Sequence, residues 1–190
     1  LGRFDLVKGQ RELLEAFSRV RAARSSGHAG RLRLMLMGFP TSLPQERVEG
    51  WIREYGVEDC TVITGKVNNP RAYINAMDLG VIASQGSEAI ARAALEIMAC
   101  DVPLVGTTVG VMPDLLPDWA LAPPGDSAAL RALLERAVDN VSFRKALQEV
   151  GRERMQDLSA QSFLEQTLRV YGEALQCRLA QHGQMRSDAQ

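Results

Sequence analysis

Apolar positions along this chain recur with two different periods. From Lys8 to about Arg24, Leu13, Leu14, Phe17 and Val20 return every three or four residues, which predicts an amphipathic helix. Gly27 to Gly30 breaks that pattern. The run Arg31–Met37 is short, mostly apolar and ends at Gly38, as a strand does. Val48, Trp51, Ile52 and Tyr55 form the next helical face, stopped at Gly56. Cys60 to Thr64 is rich in β-formers and ends at Gly65. Pro70 to Met77 reads as a short helix, with proline at the first position, where its missing N–H costs nothing. Strands follow at Leu79–Ala83, Val102–Val105 and Trp119–Ala122, with a helix at Ala91–Cys100 between the first two.

Beyond Asp126, a good N-cap residue, the chain turns helical. Helices are expected over Ser127–Val138, Phe143–Gln156 and Gln161 to about Leu179. The last carries Leu164, Leu168, Tyr171, Leu175 and Leu179 on one side, and the tail after His182 reads as disordered. Apolar strands each followed by a helix predict an α/β fold, a Rossmann-like, mostly parallel sheet with helices on both faces, plus C-terminal helices. Such sheets bind ligands at the carboxyl ends of their strands. The loops after Arg3, Gly38, Gly65, Ala83 and Val105 are therefore the ones to search.

Charge narrows the function. The chain has 190 residues, 22 basic and 23 acidic. A nucleic-acid surface needs clustered cations in excess, so that class is excluded. Arg19, Arg21 and Arg24 read as a solvated helix face. Cys60, Cys100 and Cys177 are an odd number at wide spacing, neither a disulfide framework nor a metal set. His28 and His182 lie in polar surroundings, which speaks against a histidine metal site or triad. No apolar run reaches membrane-spanning length. These features point to a reducing, cytoplasmic compartment. The chain opens Leu1-Gly2-Arg3 without methionine, and it is expected to be part of a longer polypeptide, truncated at its N-terminus.

Two segments carry the chemistry. In Ser84–Val105 the helix is almost wholly apolar or small, yet it contains Glu96, and Glu88 stands just before it beside Gly86 and Ser87. A carboxylate in an apolar helix is costly to bury without hydrogen-bond donors. Two readings stand: a ligand-binding acid pair, or a dipole-favoured Glu88 with an edge-exposed Glu96. In Gly2–Gly9, Arg3 and Lys8 follow a presumed strand, and Lys8 precedes a glycine that opens a helix. Free N–H groups at such a start attract anions. The alternative is a pair of solvated surface cations.

Taken together, these segments resemble the donor domain of the large retaining glycosyltransferase family 4, also called group 1. The family shows G-R-x4-K-G, then E-x7-E in a helix ending M-A-x-G-x-P-V-V. Here Arg3-x4-Lys8-Gly9 is followed by Glu88-x7-Glu96 and by Met98-Ala99-Cys100-Asp101-Val102-Pro103-Leu104-Val105. Gly106 to Asp114 resembles A-T-x-V-G-G-x-P-E, and Thr64–Val67, Asp78–Ser84 and Pro123–Asp126 also fit. The resemblance covers roughly Gly2 to Val138. It implies one half of a GT-B fold, with a donor domain at 1–140, C-terminal helices of the same domain at 141–180 and a disordered tail at 181–190.

The resemblance also implies roles. Arg3 and Lys8 would grip the donor diphosphate and offset its growing charge as the sugar leaves. Glu88 would contact donor sugar hydroxyls, and Glu96 the ribose hydroxyls. Backbone N–H groups near Ala91 and Arg92 would touch the phosphates, and the base would lie near Lys66 and Val67. The substrate would be a nucleoside-diphosphate sugar, with no cofactor and no metal, since the chain has no Asp-x-Asp pair. The implied partner is an N-terminal acceptor domain of the same polypeptide, against which the final helix would pack. Without it, this chain is expected to bind donor, to transfer nothing and to self-associate. Peripheral contact of the full-length enzyme with the inner membrane stays open. Ala91, Asp101 and Val111 replace glycines common in the family, which puts donor identity in doubt. The rival readings are a non-catalytic nucleotide-binding or scaffold domain and a nucleotide-sugar isomerase.

Overall fold

The computed structural model describes residues 2–24 and 31–187, with side chains through Arg178. The strands are β1 (Leu34–Leu36), β2 (Thr61–Ile63), β3 (Gly80–Ile82), β4 (Leu104–Thr107) and β5 (Leu121–Ala122). The helices are α1 (Gln10–Ala22), α2 (Gln45–Glu54), α3 (Pro70–Ile74), α4 (Arg92–Ala99), α5 (Met112–Leu115), α6 (Ser127–Asp139), α7 (Val141–Asp157) and α8 (Ala160–Ser187). A 3-10 turn, Leu6–Lys8, precedes α1.

Every strand pairing is parallel. β1 pairs with β2, and β3, β4 and β5 form a second sheet in that order. The segment before the 3-10 turn runs alongside the end of β1: Gly2 N–H donates to the Met37 carbonyl and Phe4 N–H to that of Phe39. β4 is buried along its whole length, as expected of a strand covered on both faces. α1 contributes Leu14, Ala16, Phe17 and Val20 to the core, and α4 contributes Ala94, Ile97 and Met98. The Rossmann-like α/β prediction holds.

The sequence placed α1 from Lys8, but the helix proper starts at Gln10. Gly9, at φ 67°, separates it from the 3-10 turn. Only glycine fits there, because a Cβ at this position would land on the Ala83 carbonyl. The arginine run also differs from expectation. The Arg21 side chain is 17% exposed and pairs with Asp59, and that of Arg24 is 12% exposed and pairs with Asp139. Both side chains are mostly shielded from water, and their guanidinium groups reach carboxylates that remain exposed.

α4 ends in a Schellman motif. The N–H of Asp101 reaches the Met98 carbonyl and that of Val102 the Ile97 carbonyl. Asp101 takes the left-handed conformation that glycine usually fills, at φ 59°. Arg152 pairs with its carboxylate, and Gln148 donates to its carbonyl. Val111 has φ −81°, so its position requires no glycine.

The chain divides into two compact units, residues 1–152 and 153–190. The second consists of the end of α7 and α8. Phe163, Leu164, Leu168, Tyr171 and Leu175 of α8 are exposed. α8 runs to Ser187. No proline interrupts it, and glycine, a weak helix former, occurs in it at Gly172 and Gly183. Residues 188–190 lie outside the described residues. Among those described, no helix is long and apolar enough to cross a membrane.

Candidate functional site

The site forms where the 3-10 turn meets the loop after β3. Asp5 caps the turn by accepting from the Val7 N–H. That bond, with a second from Ser42, holds the Asp5 carboxyl below its ordinary range. The Val7 carbonyl then accepts from the N–H groups of Gln85 and Gly86, which locks the turn onto the loop. This places Lys8 beside Glu88: Nζ lies 2.6 Å from Oε1 and also reaches the Ser87 carbonyl.

Glu88 is only 8% exposed. Its Oε1 also accepts from the Ser84 hydroxyl, and the Thr107 hydroxyl at the end of β4 donates to the Ser84 carbonyl. Ser84, Glu88 and Thr107 are the buried polar residues among those described. The loop after β4 holds the Glu88 backbone as well. The Val111 N–H donates to its carbonyl, and Gly110 approaches so closely that a Cβ there would strike it.

The loop carries strain at two positions. Ser87 and Ala91 are left-handed, at φ 60° and 48°. That conformation costs a non-glycine residue roughly 1–2 kcal/mol. Such strain persists only where the surroundings enforce it, commonly at functional sites. Ala91 is the N-cap of α4 and makes no side-chain cap bond. The N–H groups of Arg92 and Ala93 find no acceptor among the described residues, so the helix start offers donors to an anion.

Arg3, Lys8 and Glu88 line one cleft, together with Gln10 and apolar residues of β1, β3 and α1. The Arg3 guanidinium is exposed and makes no hydrogen bond or ion pair among the described residues, while its carbonyl accepts from Gln10. The other predicted residues do not line this cleft. Arg92 is exposed at the start of α4. Glu96 follows one turn later, half-buried, with no partner among the described residues. Lys66 and Val67 follow β2, with the Lys66 ammonium 5.9 Å from the centre of the Phe39 ring after β1.

Sequence reasoning missed Ser84, Thr107 and Gly110. Small polar residues and glycines at strand ends are too common to stand out. Their roles arise from pairings across 23 residues in one case and between separate loops in the other.

Residues 1–140 match the family model described as "Glycosyl transferases group 1". The chain belongs to this family. A relative, the MMP alpha-(1->4)-mannosyltransferase of Mycolicibacterium hassiacum, is 29% identical over 177 residues, 89% of this chain and 41% of the relative. The group 1 chain therefore spans about two fifths of that protein. Sucrose-phosphate synthase from Thermosynechococcus elongatus superposes with a TM-score of 0.75 at 26% identity, over 93% of this chain and 45% of that one. Anabaena Alr3699/HepE, solved in complex with UDP and glucose, gives 0.77 at 19%, over 90% and 47%. The C-terminal domain of the group 1 family protein LpcC from Francisella tularensis gives 0.70 at 21%, over 80% of each. At these lower identities the likeness is one of fold.

Among the group 1 glycines replaced here, Ala91 and Asp101 both occupy left-handed backbone. Left-handed backbone costs each of these non-glycine residues roughly 1–2 kcal/mol.

Proposed function

We propose that this chain is the donor-binding half of a two-domain glycosyltransferase that moves a hexose from a nucleoside diphosphate to an acceptor with retention at the anomeric carbon. The observation that carries this reading is the meeting of Lys8 with Glu88 in a cleft shared with Arg3, at the carboxyl end of β3. A departing diphosphate gains negative charge, and fixed cations that meet it lower the barrier. Arg3, which makes no hydrogen bond or ion pair among the described residues, and Lys8 are the cations for that task. The free N–H groups at the start of α4 add a partial positive charge.

In this reading Glu88 takes sugar hydroxyls, Glu96 takes the ribose, and the backbone at Ala91 and Arg92 meets the phosphates. The loop bearing Lys66 and Val67 takes the base. A diphosphate oxygen deprotonates the acceptor on the face from which it leaves, so no protein base is needed. The mannosyltransferase relative and the UDP complex of Anabaena Alr3699/HepE support a nucleotide-sugar donor. The same proposal includes an acceptor domain elsewhere in the polypeptide and a cytoplasmic setting. The non-catalytic reading has no observation in its favour.

The test is calorimetric titration of the chain with UDP, GDP and ADP and with their glucose and mannose conjugates. One base should be preferred, and its sugar conjugate should bind measurably. Absence of binding by every diphosphate would end the proposal.

A further inference from the structure

One oxygen of Glu88 is fully committed. Oε1 accepts from the Ser84 hydroxyl and from Lys8. Oε2 takes no hydrogen bond from the described residues, and Glu88 lines the cleft. A carboxylate held by both oxygens would be a closed structural pair. One held by a single oxygen presents the other in a fixed direction.

The supports of Ser84 are equally specific. The residue is 2% exposed, and its carbonyl is pinned by Thr107, also 2% exposed. The hydroxyl therefore approaches Oε1 from a backbone that cannot drift. Lys8 alone would be a poor anchor. An ammonium is a point charge on a flexible stem, and its side chain here is 21% exposed. A diphosphate in the cleft would also compete for Lys8, leaving Ser84 as the hold on Glu88.

We infer that Ser84 is a positioning residue: it keeps Oε1 of Glu88 occupied, so that Oε2 stays aimed at a hydroxyl of the donor sugar when Lys8 turns to the diphosphate. The inference rests on the proposed function and adds to it a residue that selects sugar-bearing nucleotides over bare ones. Hydrogen bonds to a charged group are strong and directional. Losing the direction of Oε2 should cost sugar recognition and spare diphosphate recognition.

The experiment is a double-mutant cycle with Ser84→Ala and Glu88→Gln. It is read as the ratio of affinities for the preferred nucleoside-diphosphate hexose of the panel and its nucleoside diphosphate. Ser84→Ala should lower that ratio about tenfold, with diphosphate affinity nearly unchanged. In the Glu88→Gln background the same change should have little further effect. Ser84→Thr, which keeps the hydroxyl, should restore the ratio. Equal loss for both ligands, or an undiminished loss in the Glu88→Gln background, would overturn the inference.

A second readout needs no ligand. The carboxyl ¹³C resonance of Glu88, assigned by its disappearance in Glu88→Gln, should move in Ser84→Ala. If no nucleotide sugar binds the unaltered chain, the proposed function fails, and this resonance still judges the contact. An unmoved resonance would show that Ser84 does not hold Glu88.

Discussion

The ammonium of Lys8 sits 2.6 Å from a carboxylate oxygen of Glu88, eighty residues further along the chain. The pair joins the two segments that carry the family's motifs. Both partners are partly shielded, with side-chain exposures of 21% and 9%, so solvent screens their interaction less than at an open surface.

Lys8→Ala should weaken binding of a nucleoside diphosphate by roughly one to two orders of magnitude, the scale of a charge-assisted bond of about 1.5–3 kcal/mol. The bare nucleoside should bind as before. Calorimetry with both ligands checks this. Equal loss for the two would mean that Lys8 serves only Glu88 and never meets the phosphates.

Glu96 is half-buried on α4 with no partner among the described residues. Glu96→Gln should leave the melting temperature nearly unchanged, because no bond within the protein is lost. Nucleotide binding should fall, and the variant should no longer distinguish a 2′,3′-dideoxy ligand from the ordinary one. A variant that still rejects the dideoxy ligand strongly would remove Glu96 from the ribose site.

Gly110→Ala should damage the site from behind. Its backbone is left-handed at φ 59°, and the added methyl would collide with the Glu88 carbonyl. Gly125→Ala is the control, with φ 77° and nothing within 4 Å of the added carbon. The control should cost roughly 1–2 kcal/mol of backbone strain. Gly110→Ala should cost more and also lose sugar-nucleotide binding. Equal denaturation midpoints for the two variants would show that the loop after β4 yields without disturbing Glu88.

Cys60 is 1% exposed, and burial pushes its thiol pKa up. A group raised in this way gives its full stabilisation below the unfolded thiol value of about 8.5 and loses it as pH rises through the folded value. Iodoacetamide at pH 8, followed by peptide mass mapping, should modify exposed Cys177 first and spare Cys60 until the chain unfolds. Rapid labelling of Cys60 in the native chain would contradict its burial.

Much of this molecule was legible in the residue order. The alternation of apolar strands with helices located all five strands to within two or three residues and implied parallel pairing. Asp126 was read as the cap of α6, and its side chain accepts from Ala128 and Ala129. The family resemblance names Arg3, Lys8 and Glu88, and the fold brings them into one cleft. These features are local, or depend on a pattern repeated along the chain, so sequence carries them. Other features were decided only in three dimensions. Whether Arg21 and Arg24 face water or bury their stems depends on Asp59 and Asp139, 38 and 115 residues away. The left-handed backbone of Ser87 and Ala91 breaks local preference. How Glu88 is held was likewise decided by Lys8, Ser84, Thr107 and Gly110, because hydrogen bonds and close approach between loops depend on distances that the order of residues does not contain.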